Sequence, residues 1–72
     1  MGMRMDLIKF RKTRPKGKKS KTYFANVLGI TRQHYANIEK GTSNPSFELM
    51  QKFGKEFEGE YDDIWELFDN GE

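Results

Sequence analysis

The sequence predicts an all-α fold, a compact bundle of five short helices. Three observations predict it. Apolar side chains recur at helical spacing in successive segments, and no segment alternates with period two for long enough to make a strand. Ser20, Thr31 and Ser46 stand just before apolar runs, where a hydroxyl starts a helix. Gly29, Gly41 and Gly59 stand just after them, where glycine stops one.

The first helix is expected over residues 5–13, around the apolar group Met5, Leu7, Ile8 and Phe10. Pro15 and Gly17 then interrupt the chain in a basic loop, RPKGKK. Ser20 suits the N-cap of a second helix, its hydroxyl accepting from a free amide of the first turn. Phe24, Ala25 and Leu28 form its inward face, and Gly29 closes it by adopting the left-handed conformation. Thr31 caps the third helix, with Ile30 and Tyr35 placed as a hydrophobic staple, and Gly41 ends it. A polar turn, TSNP, leads to Ser46 and a longer fourth helix with Phe47, Met50, Phe53 and Phe57 along its inner side. Tyr61, Ile64, Trp65 and Phe68 stripe a short fifth helix at i, i+3, i+4, i+7. Phe10, Phe24, Phe47, Phe53 and Phe57 read as core, since aromatics at helical spacing in a small domain serve packing. Trp65 and Phe68 have two readings, a cap on the monomer core or part of a dimer contact.

A chain of 72 residues makes one domain, residues 1–72, with little apolar area to bury. It has no cysteine, hence neither a disulfide nor a thiolate metal site. One histidine without converging carboxylates leaves no zinc site, so no metal or cofactor is expected. No apolar run approaches the roughly 20 residues that cross a bilayer, and no signal-peptide pattern opens the sequence. A cytoplasmic location without membrane contact is expected. An enzyme fits poorly: there is no glycine-rich phosphate loop and no nucleophile–histidine pair at a telling spacing.

The net charge of +2 hides a polarity. Residues 1–22 carry nine Lys or Arg against Asp6 alone, a net of +8, whereas residues 56–72 carry eight acidic groups and no Lys or Arg, a net of −8. A basic N-terminal third and an acidic C-terminal third suit one end that meets a polyanion and one that does not. Two solvated faces would have the same composition.

The break at Gly29-Ile30-Thr31 divides what would otherwise be one amphipathic helix, ANVLGITRQHYANIEKG. Two short helices joined by a tight turn cross steeply, so the second projects while the first braces it. On that second helix Tyr35 and Ile38 face inward, and Arg32, Gln33, Ala36, Asn37 and Lys40 fall on the opposite side. In a DNA major groove Arg suits the O6/N7 pair of guanine, Gln and Asn suit adenine, and Ala meets a thymine methyl. An ordinary solvated helix face uses the same residues, and spacing alone does not choose between the two.

From Ser20 to Phe68 the sequence resembles the lambda-repressor/Cro-type (Xre-type) helix-turn-helix family. The residues that carry the likeness are Phe24-Ala25, Leu28-Gly29-Ile30-Thr31, Ile38-Glu39-Lys40-Gly41, Asn44-Pro45-Ser46 and Asp62-Asp63-Ile64. The resemblance implies a five-helix bundle whose third helix reads the major groove, and a transcriptional regulator that binds a palindromic operator as a homodimer. Carried over residue by residue, it implies base contacts by Arg32, Gln33 and Asn37, with Ala36 next. It implies phosphate contacts by Ser20, Lys21, Thr31, Lys40, Thr42, Ser43 and Asn44, and a structural ion pair between Arg11 and Glu39. His34 receives no role. Lys21 stands where the family usually has glutamine, so it meets phosphate as a point charge but cannot accept from Arg32. The loop RPKGKKS is about three residues longer than usual, and Gly54 replaces a small alanine at about 1 kcal/mol. The expected function is operator-bound repression. The rival is a protein-binding module on the same scaffold, an antitoxin or phage accessory factor that meets a protein partner at its acidic, aromatic end.

Overall fold

A computed structural model describes residues 2–68. It contains four α-helices, α1 (Met5–Lys12), α2 (Lys21–Leu28), α3 (Arg32–Lys40) and α4 (Phe47–Glu56), followed by a 3₁₀ helix at Ile64–Phe68. Local chemistry sets most of these boundaries. The hydroxyl of Ser20 accepts from the Tyr23 amide (2.9 Å), that of Thr31 from His34 (3.0 Å) and that of Ser46 from Leu49 (3.2 Å). Each satisfies an amide that has no partner inside its helix. Gly29 (φ 72°) and Gly41 (φ 83°) close α2 and α3 in the left-handed region, which side chains with a Cβ rarely enter.

The helices enclose one core. Leu7 and Phe10 from α1, Phe24, Ala25 and Leu28 from α2, and Tyr35 and Ile38 from α3 meet Leu49, Phe53 and Phe57. Ile64, Leu67 and Phe68 close its far end. At the centre the Phe24 and Phe57 rings stack at 4.8 Å, and Phe10 meets Phe57 edge-on at 5.4 Å, both favourable arrangements. Ile30 packs partly buried against this cluster. α2 lies against both α3 and α4, while α1 touches α3 and the 3₁₀ helix.

Three expectations need correction. The fifth element is a 3₁₀ helix: Asp63 accepts from the Trp65 amide with its side chain (3.1 Å) and from the Glu66 amide with its carbonyl (3.0 Å), which tightens the turn. With about three residues per turn, Ile64 and Leu67 share the buried side, and Tyr61 falls outside the helix. Phe47 is 59% exposed, so it is not core. The buried line on α4 steps by four from Leu49 to Phe53 and on to Phe57, and Phe47 sits roughly 200° around the helix from Leu49. Phe68 is 7% exposed and packs on Phe53 at 4.9 Å, so it belongs to the monomer core and is not free for a dimer contact. Trp65 is 44% exposed and packs on Phe47 at 5.3 Å.

Candidate nucleic-acid interface

The turn at Gly29-Ile30 separates α2 from α3, and α3 presents one side to solvent. Arg32, Gln33, His34 and Lys40 are exposed and Asn37 is half-buried, whereas Tyr35, Ile38 and Glu39 lie in the interior. Gln33 Nε2 donates to Asn37 Oδ1 at 3.1 Å, so two candidate base readers one turn apart hold each other in position. That bond still leaves each amide a donor and an acceptor for a base edge. Ala36 departs from the expected outward set. It is 7% exposed, so it does not share the solvent-facing side with Arg32 and Gln33.

The candidate phosphate contacts occupy three places. Ser20 and Lys21 begin α2, Thr31 begins α3, Lys40 is the last residue of α3, and Thr42, Ser43 and Asn44 follow it. Helix starts carry free amides and a partial positive charge, which favour an anion. In the turn after α3, the Thr42 and Ser43 amides and the Thr42 hydroxyl all donate to the Asn37 carbonyl, at 3.1, 3.3 and 3.2 Å. The Thr42 hydroxyl hydrogen is therefore engaged inside the protein. Asn44 Oδ1 is engaged too, accepting from Arg4, which leaves its Nδ2 donors for an outside acceptor.

The base of α3 is locked by charge. Arg11 Nε meets Glu39 Oε2 at 2.6 Å and its Nη2 meets Oε1 at 3.3 Å, a two-pronged pair buried on both sides. The remaining Nη1 donates to the Lys19 carbonyl at 2.9 Å, which ties the basic loop to the same point. Tyr35 lies beneath this pair. Burial first, and then the adjacent Glu39 carboxylate, push its hydroxyl pKa far above the ordinary phenol value, so Tyr35 is a neutral packing residue.

Arg4 was missed by sequence reasoning. It is 2% exposed, and its guanidinium donates to the carbonyls of Ile38, Ser43 (3.0 Å) and Phe68 (2.9 Å) as well as to Asn44 Oδ1 (2.9 Å). Burial lowers its pKa from the ordinary arginine value. A signal was present: Arg4, Leu7, Ile8 and Arg11 follow i, i+3, i+4, i+7, which places Arg4 in register with the buried face of α1. Arg14 was missed too. It lies over the Phe10 ring at 4.0 Å, donates to the Phe10 carbonyl at 3.1 Å and pairs with Glu60 of the acidic third. The arginines of residues 1–22 thus belong to the fold, and its six lysines are the solvated charges, exposed or, at Lys21, half-buried. This division suits a rigid donor fork and a flexible point charge.

Among the described residues no helix is long and apolar enough to cross a membrane, and no group of three or more His, Cys, Asp or Glu side chains is placed to hold a metal ion. No curated protein and no solved structure gives a significant match to the chain. A family model described as helix-turn-helix matches residues 7–64, from the first core residue of α1 to the start of the 3₁₀ helix. That span exceeds three quarters of the chain and includes α2, the Gly29 turn and α3, so the protein belongs to the Cro/C1-type, Xre-like helix-turn-helix family of DNA-binding domains.

Proposed function

We propose that this chain is a sequence-specific regulator of transcription that inserts the exposed side of α3 into the major groove of an operator and represses by occupancy. One observation carries the reading. The exposed groups Arg32 and Gln33, with Asn37 bonded to Gln33, stand on a helix whose opposite side is fixed in the core by Tyr35, Ile38 and Glu39. A probe of that kind can order donors and acceptors against base edges without reorganising the fold. Arg32 suits guanine, and the Gln33–Asn37 pair suits adenine.

Ser20, Lys21, Thr31, Lys40, Ser43 and Asn44 anchor the backbone on either side of the groove, and the lysines supply most of the salt-sensitive affinity. One module of this size covers few base pairs. A homodimer on a palindrome, with half-sites about 34 Å apart, supplies the missing selectivity. Trp65 with Phe47 is the surface we assign to that contact. The protein acts in the cytoplasm, where the operator is. Selection of bound sites from a random duplex library tests the reading. A short, two-fold-symmetric preference is expected, and a pool that stays random through successive rounds refutes it.

A second reading is favoured by the exposed aromatics Phe47, Tyr61 and Trp65 beside Asp62 and Asp63. A surface of that composition suits a protein partner. A chain that ignores duplex DNA yet forms a stable complex with one protein would establish this role in place of the first.

A further inference from the structure

We propose that Arg4 is a positioning residue for DNA binding, holding the turn Thr42–Asn44 from the core side in the shape that meets a phosphate. The inference rests on the regulator reading above.

The last carbonyls of a helix have no partner within it. At the end of α3 the arm before α1 supplies partners. The Arg4 amide donates to the Glu39 carbonyl at 2.8 Å, and its guanidinium takes the Ile38 carbonyl. The same guanidinium reaches the Ser43 carbonyl and Asn44 Oδ1, on the other side of the turn, and the Phe68 carbonyl at the end of the 3₁₀ helix. A planar fork can satisfy several acceptors at fixed angles, which an ammonium on a flexible stem cannot.

The arm also fits closely. A Cβ at Gly41 would stand 2.2 Å from the Gly2 carbonyl oxygen, so glycine there makes room for the arm that carries Arg4. With Oδ1 of Asn44 drawn inward to Arg4, its Nδ2 donors turn outward from the clamp. The end of the reading helix and its neighbouring phosphate turn become one rigid piece.

The test separates this claim from the one beneath it. Binding of the unaltered chain to a selected duplex is measured first, and failure there refutes the regulator reading before any variant is made. Arg4→Lys keeps the charge and removes the fork. It is expected to bind every duplex about tenfold more weakly while base preference is unchanged. In the free variant the Thr42 and Ser43 amides should exchange with solvent about tenfold faster or more, while the Tyr23 amide, capped by Ser20 in α2, keeps its rate. Asn44→Ala should weaken binding in the unaltered chain and do little in the Arg4→Lys background, because both act through one clamp. Unaltered binding by Arg4→Lys, equal acceleration of exchange in α2 and the turn, or additive effects of the two substitutions would each overturn the proposal. Should Arg4→Lys fail to fold, Asn44→Ala alone decides: weaker binding with faster Thr42 and Ser43 exchange supports the clamp, and no change in either refutes it.

Discussion

The two ends of α3 differ in how they are held. At its start, Arg32, Gln33 and His34 project into solvent, and the main local ties are the Thr31 cap and the Gln33–Asn37 bond. At its finish, Glu39 is clamped by Arg11, the Ile38 and Glu39 carbonyls are taken by Arg4, and Gly41 packs against Gly2. Arginine serves both ends, Arg32 on the helix itself at the start, and Arg4 and Arg11 from the N-terminal segment at the finish. Exposed, a guanidinium remains available to a ligand; buried, it is consumed by the fold. A probe needs both conditions, because free donors discriminate between bases only when their backbone does not move.

Breaking the fixed end should have the largest effect. Glu39→Ala leaves Arg11 buried without its carboxylate and is expected to cost about 3–5 kcal/mol in chemical denaturation. Replacing both partners by apolar residues of similar size should recover most of that loss, since the pair's own net contribution is small. Gly41→Ala comes next, at about 2 kcal/mol. It forces a Cβ into the left-handed region and onto the Gly2 carbonyl, and thermal unfolding reads it.

At the free end, stability should barely move while recognition does. Arg32→Ala is expected to stay within about 0.5 kcal/mol of the parent in unfolding. Competition binding should show it losing about 1–3 kcal/mol of discrimination at one base pair. Lys21→Ala should instead weaken all duplexes alike and lower the salt slope by about one. Identical behaviour of these two variants would erase the division between readers and anchors. The smallest effect lies away from both ends. A Cβ at Gly54 would meet only the Trp65 indole nitrogen, at 3.8 Å, so this glycine is not needed for close helix approach. Gly54→Ala should therefore stabilise α4 by about 1 kcal/mol in thermal unfolding, with DNA affinity unchanged.

What could be read from sequence was local. Ser20, Thr31 and Ser46 act as caps because each hydroxyl reaches an amide three residues on, and Gly29 and Gly41 close helices by their own backbone freedom. Those five residues frame α2, α3 and the start of α4 without reference to the rest of the chain. The misreadings share a different cause. Phe47 has the same apolar character as Phe53, and only the direction in which α4 docks sends one outward and the other inward. Ala36 falls by helical spacing on the side of α3 assigned to solvent, yet the folded chain covers it. Arg4 looked like part of a basic segment, and its role depends on carbonyls 34 to 64 residues away in the chain. The acidic third is joined to the basic one, since Glu60 reaches back to Arg14. Charge counted along a sequence does not say which charges face water.

The exposed start of α3 is most directly tested by NMR titration of the chain with a duplex it has selected. The side-chain signals of Arg32, Gln33 and Asn37 should shift most, followed by the amides of residues 20–23 and 42–44, with any shift at Phe47 and Trp65 smaller than these and confined to the dimer contact. Largest shifts at Phe47, Tyr61 and Trp65, with Arg32, Gln33 and Asn37 unmoved, would contradict a groove-reading role for α3.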